Sequence, residues 1–136
     1  MEDKEKFEDL YTIFVSQGIK MAKAMAQSVG QDAESISTAM VAIVTRLEDS
    51  GKKNGLAFDI KVIFNGAKEI LIYLLSVMGV ELSEEFVKEI VALMVGKYLK
   101  QALESGKMTK AQAEELSRMA QQGKGMISGQ MEAANG

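Results

Sequence analysis

Five ionisable side chains sit inside apolar sequence: Asp59, Lys61, Lys68, Glu69 and Lys97. A lysine or carboxylate buried in such surroundings loses hydration, its pKa shifts, and it can then trade protons with a substrate. Nothing in the spacing singles out a pair for such work. Asp59 with Lys61, and Lys68 with Glu69, are not helix-face neighbours. Solvated faces of amphipathic helices carry the same signature, and that reading covers all five. Glu81, Glu84 and Glu85 would suit a hard cation, but acidic residues also suit the positive end of a helix. The Gly-Lys of Ser50 to Gly55, SGKKNG, lacks the spacing of a Walker A loop and follows no strand, so it reads as a solvated turn.

Histidine and cysteine are absent. Zinc, copper and haem sites usually draw on one of those two side chains, and Cys–His and Ser–His–Asp catalysis require them. No catalytic residue, cofactor-binding residue or metal ligand is assigned, no cofactor is expected, and the chain reads as non-enzymatic. The net charge of −3 is mild, and Arg46 and Arg118 are the only arginines. Arginine is the preferred fork for phosphate and base edges, so no nucleic-acid partner is expected.

The elements that hold these residues are helical. The chain has 136 residues, 47% of them hydrophobic and 26% charged, with no proline, three tyrosines and five phenylalanines. That length builds one core, and that composition lacks the turn punctuation and aromatic strand formers of an all-β fold. The expected fold is all-α: a compact bundle of four to five helices over residues 1–122, followed by a flexible glycine-rich tail, 123–136, with the sequence GKGMISGQMEAANG.

The most apolar stretch runs from Leu56 to Val80. Leu56, Ile60, Ile63, Ala67, Ile70/Leu71, Leu74 and Val77/Met78 recur in three- and four-residue steps, which predicts one central helix of about 23 residues, closed by Gly79. Alternation from Phe58 to Phe64, ending in Asn65-Gly66, also fits a strand, but such a strand has no evident partner. Around this helix the spacing predicts helix 1 over Asp3 to Ser28, with a stripe of Phe7, Tyr11, Phe14, Gly18, Met21, Met25 and Val29. Asp32 caps helix 2, which runs to about Asp49. Ser83 caps helix 4, with a stripe of Phe86, Ile90, Leu93/Met94, Lys97 and Leu103, ending at Gly106. Thr109 with Gln112 forms a capping box for helix 5, Lys110 to Gln122, with Leu116 and Met119 inward.

Gly18, Ala22, Ala26 and Gly30, four apart on helix 1, form a smooth strip where a second backbone can come close. Flanked by Met21 and Met25, it is the candidate helix–helix or oligomer contact. Ten methionines strengthen the case for protein–protein contact, because flexible thioethers adapt to partner surfaces. A membrane span needs about 20 apolar residues. Val62 to Val80 reaches that only if Lys68 and Glu69 face a water-filled lumen within an oligomer, which makes them candidate lumen-facing charges.

In texture the chain resembles small structural or internal virion proteins of tailed bacteriophages: short, cysteine-free, rich in methionine and alanine, with a glycine-rich tail. No motif carries the resemblance, and it implies a setting only. The leading expectation is a structural or assembly protein that forms homo-oligomers or binds other proteins, in the cytoplasm or a virion, without a signal peptide. Two alternatives stand beside it: a membrane-inserting, pore-lining protein of the ejection type, and a small helical inhibitor or immunity-like binder of a protein target.

Overall fold

A computed structural model describes the backbone of residues 2–118 and the side chains of residues 8–118. The fold is all-α. Helix α1 spans Glu2–Met25 and continues into a single 3-10 turn, Ala26–Ser28; α2 spans Ala33–Lys53, α3 Ile60–Met78 and α4 Glu84–Glu104. Residues 110–118 are also helical, and among the described residues there is no strand. The expected tail, 123–136, Met119 and the end of the fifth helix lie outside the described residues.

Each boundary follows from local chemistry. Asp32 accepts from the Ser35 backbone N–H at 2.9 Å and from its hydroxyl at 2.7 Å, which closes the open end of α2. Asp59 accepts from the Lys61 N–H at 2.8 Å at the start of α3, and Ser83 accepts from the Phe86 N–H at 3.3 Å at the start of α4. Gly79 ends α3 at φ 74°, in the left-handed region that glycine enters without steric cost, and the Val80 N–H reaches back to the Leu75 carbonyl at 3.0 Å. The Thr109–Gln112 box is reciprocal: the Gln112 N–H donates to the Thr109 hydroxyl at 3.2 Å, and the Thr109 N–H donates to Gln112 Oε1 at 3.0 Å.

Two expected boundaries move. Helix α2 runs through Ser50 to Lys53, so only Asn54 and Gly55 of the SGKKNG stretch form the turn. Helix α3 begins at Ile60 rather than Leu56, and the preceding residues are a non-helical linker. One side chain accounts for both changes. Phe58 lies edge-on to Phe14, with ring centroids 5.2 Å apart, and a Cβ added at Gly51 would sit 2.6 Å from the Phe58 ring. Burying that ring requires a residue without a side chain in the last turn of α2 and an extended approach to α3.

Helix α1 packs chiefly on α3, and α2 chiefly on α4. The α1–α3 contact rests on two glycines used reciprocally. A Cβ at Gly18 would overlap Ile70 and come within 3.3 Å of Leu47, while a Cβ at Gly66 would lie 2.5 Å from the Phe14 ring. Each helix thus gives up a side chain where the other inserts a large one. Both contacts advance in the same direction along the two helices, so α1 and α3 run parallel. Helices α2 and α4 are parallel in the same way: Lys97 meets Ser37 and Thr38, Gln101 meets Thr45, and Lys107 meets Asp49.

Helix α3 is buried along much of its length. Val62, Ile70, Leu71, Leu74 and Leu75 are fully shielded, each contributing about 1.5–3 kcal/mol of transfer free energy. Gly66, the end of the alternative strand reading, lies within the continuous span of this helix and serves the contact with Phe14.

Gly66→Val should therefore lower stability in urea denaturation by about 1–3 kcal/mol, because the Phe14 ring has nowhere to move. Gly96, in α4, has nothing within 4 Å of an added Cβ. Gly96→Ala should raise stability by about 0.5–1 kcal/mol, through helix propensity alone.

Candidate functional site

Two regions of the described structure carry features that packing alone does not require. The first is the seam between α3 and α4, whose backbones stay apart over α2. A half-open cavity of about 40 Å³ occupies it. Val41 and Val44 of α2, Ile63, Phe64, Ala67 and Lys68 of α3, Val91, Met94, Val95 and Tyr98 of α4, and Leu116 line it. Lys68 is 4% exposed. Its Nζ lies 4.8 Å from the centre of the Phe64 ring, is out of contact with solvent and has no hydrogen-bond partner. Desolvation holds the amine below its ordinary value, since nothing nearby repays the lost hydration of the charge.

At the edge of this cavity Tyr98 donates to the Glu48 carboxylate of α2. Burial pushes the Glu48 carboxyl up, opposed by the Tyr98 hydrogen bond, and its Oε1 is buried without a partner. Burial and the Glu48 charge together push the Tyr98 hydroxyl above its ordinary range.

The second region is the outer side of α4. Val87, Ile90, Val91, Met94 and Ala102 face the interior. On the opposite side Ala92, Gly96, Leu99 and Leu103 recur at steps of four, three and four. Ala92 and Gly96 are exposed, Leu99 is half-buried and Leu103 is 43% exposed. Leu103 was expected to point inward with Phe86 and Ile90; it does not. It joins a second apolar stripe that the single-stripe reading of α4 overlooked, although the spacing was there to be seen.

The residues singled out in the sequence fare differently from one another. Gly18, Ala22 and Ala26 are buried inside the chain's own core, Met21 and Met25 pack at its margin, and Gly30 is exposed at the start of the next connection. The smooth strip is therefore occupied by α3 and α2 and is not an outward face. Lys68 and Glu69 do not lie on one side of α3 in this chain. About 100° of helix separates them: Lys68 turns into the α3–α4 seam, while Glu69, exposed, accepts from the Tyr11 hydroxyl of α1. Burial and that carboxylate raise Tyr11 above its ordinary range. Lys97 crosses from α4 to α2. Its Nζ reaches the first turn of α2, 2.7 Å from Glu34 Oε1, 2.9 Å from Ser37 Oγ and 2.8 Å from Thr38 Oγ1. Asp59 caps α3, and Lys61 is exposed.

Among the described residues no group of three or more His, Cys, Asp or Glu side chains is placed to hold a metal ion. No helix among them is long and apolar enough to cross a membrane. No family model, curated protein or solved structure matches the chain.

The buried amine has a stated consequence for stability. Folding depresses the Lys68 pKa, so between the folded value and the ordinary 10.5 the unfolded chain binds more protons than the folded one. Stability from this group therefore rises with pH across that window, and the full cost is present below it. Tyr11 and Tyr98 act in the opposite sense above their ordinary 10.0, because the folded state holds their protons longer. Lys68→Met should raise stability at neutral pH by about 1–3 kcal/mol, the usual cost of an unsatisfied buried polar group. Urea midpoints should climb in the wild type as pH rises toward the ordinary 10.5 and lose that slope in the variant.

Proposed function

We propose that this protein is a non-enzymatic helical assembly protein that pairs with copies of itself through the outer side of α4. The observation that supports this reading is that α4 is apolar on two opposite sides, while among the described residues the core is built on only one of them. A helix serving a monomer alone needs one apolar stripe. A contiguous second stripe on the surface marks a site of contact.

The register of that stripe suits a two-fold pair. Ala92 and Gly96 are small, and Leu99 and Leu103 are large. When two copies of α4 cross antiparallel, Leu99 of one lies over Gly96 of the other, and Leu103 over Ala92. A two-fold contact is self-complementary, so each large residue finds its small counterpart twice. The stripe is narrow, and a pair built on it would be reversible rather than obligate. A structural subunit, such as a component of a phage particle, is the setting this reading favours.

Light scattering coupled to size-exclusion chromatography tests it. The wild type should run as a dimer or larger defined multimer at tens of micromolar, shifting toward monomer on dilution. Gly96→Gln, which fills the small position with a long polar side chain where nothing lies within 4 Å in the monomer, should run as a monomer with undiminished thermal stability. A wild type that stays monomeric at high concentration, or a variant that still assembles, contradicts the reading.

A further inference from the structure

We infer that two copies of this chain meet with their α4 helices antiparallel because the outer side of α4 is acidic at one end and basic at the other, which places self-association under the control of ionic strength. The inference rests on the pairing proposed above and adds what sets its orientation and its strength.

The outer stripe does not stop at Ala92. Glu85 and Glu89 continue its spacing toward the amino end of α4, and both are exposed. Neither belongs to an ion pair among the described residues, and Lys88, on the same turn, is taken by Glu84 at 2.6 Å. Glu81, exposed in the connection before α4, adds to the negative charge of that end. The carboxyl end is basic. Lys100 and Lys110 are exposed and belong to no ion pair among the described residues, and Lys107 lies 3.4 Å from Asp49. Glu104 offsets part of this charge, while Lys97 is spent on Glu34 of its own chain at 2.7 Å.

The register brings unlike ends together. With Leu99 of one copy over Gly96 of the other, Glu89 falls opposite Gly106 and Lys107 of the other copy, and Glu85 falls toward its Lys110. Helix α4 ends at Glu104, so both carboxylates meet the segment that follows the helix. Two-fold symmetry makes each meeting occur twice. A parallel crossing would set Glu85 and Glu89 against the same residues of the other copy and align the two helix dipoles, so like charge opposes it. Packed helices lie about 8–10 Å apart, comparable to the Debye length of about 8 Å at physiological ionic strength, so the attraction fades as salt rises. Rim charges set orientation and association rate more than affinity. The apolar stripe holds the pair, and the charged ends choose its direction.

Sedimentation equilibrium of the full chain at about 50 and 500 mM NaCl tests this. The dimer dissociation constant should rise about tenfold with salt. Glu85→Lys with Glu89→Lys should weaken the dimer about tenfold at low salt and leave it close to wild type at high salt. Adding Lys100→Glu and Lys110→Glu, which exchanges the two ends, should restore both the affinity and the salt dependence. A wild-type dimer indifferent to salt, or a four-site variant as weak as the two-site one, overturns the inference and leaves the apolar pairing standing. A wild type that is monomeric at both salt concentrations overturns both.

Discussion

The close approach of α1 and α3 is the constraint from which the rest of the structure follows. Gly18 admits Ile70, and Gly66 admits Phe14, so the two helices interlock at two points along a parallel seam. Interiors packed at crystal-like density leave no room for an alternative register once such large side chains are seated in backbone hollows. Phe14 is held in turn by Phe58, which lies in the hollow at Gly51. Three glycines in three helices thus receive three large side chains, and the connection between α2 and α3 takes its shape from the third.

That arrangement has a cost at the other end of the fold. With α1 pressed against α3, helix α4 is left to pack on α2, and the α3–α4 seam is incompletely filled. Electrostatics fix α4 in place there. Lys97 sits at the amino end of α2, where the helix dipole is unfavourable to a cation, but Glu34 and the Ser37 and Thr38 hydroxyls offset this with short contacts. The two features proposed to carry function, the apolar outer stripe of α4 and the charged ends that continue it, are both consequences of α4 lying at the periphery.

Much of this was legible in the sequence, and what was not has physical reasons. The caps Asp32, Ser83 and Thr109–Gln112, and the stop at Gly79, are local chemistry and were readable as such. The boundaries at Lys53 and Ile60 were not, because they depend on the Phe58 ring seating against Phe14 and Gly51, contacts that local spacing does not announce. The small strip Gly18, Ala22 and Ala26 announced a close contact but could not say with what; the answer is the chain's own α3 and α2. Lys68 was the hardest residue. It lies in register with Phe64, Leu71 and Leu75, a signal that it shares their buried side, but a lysine on a helix is so often solvated that the stripe alone did not carry the point. Glu69, one residue on, falls in register with Asn65 and Ser76 and is correspondingly exposed.

Native-state amide hydrogen exchange tests the central claim most directly, that α3 is enclosed by the rest of the chain and holds it together. The amides of residues 64–75 should exchange only through global unfolding, with opening free energies equal to the stability obtained from urea. Amides near Gly96 and Leu103, on the outer side of α4, should open at lower free energy. Exchange of α3 through a partial opening, at free energies no higher than those of α4, would contradict the account.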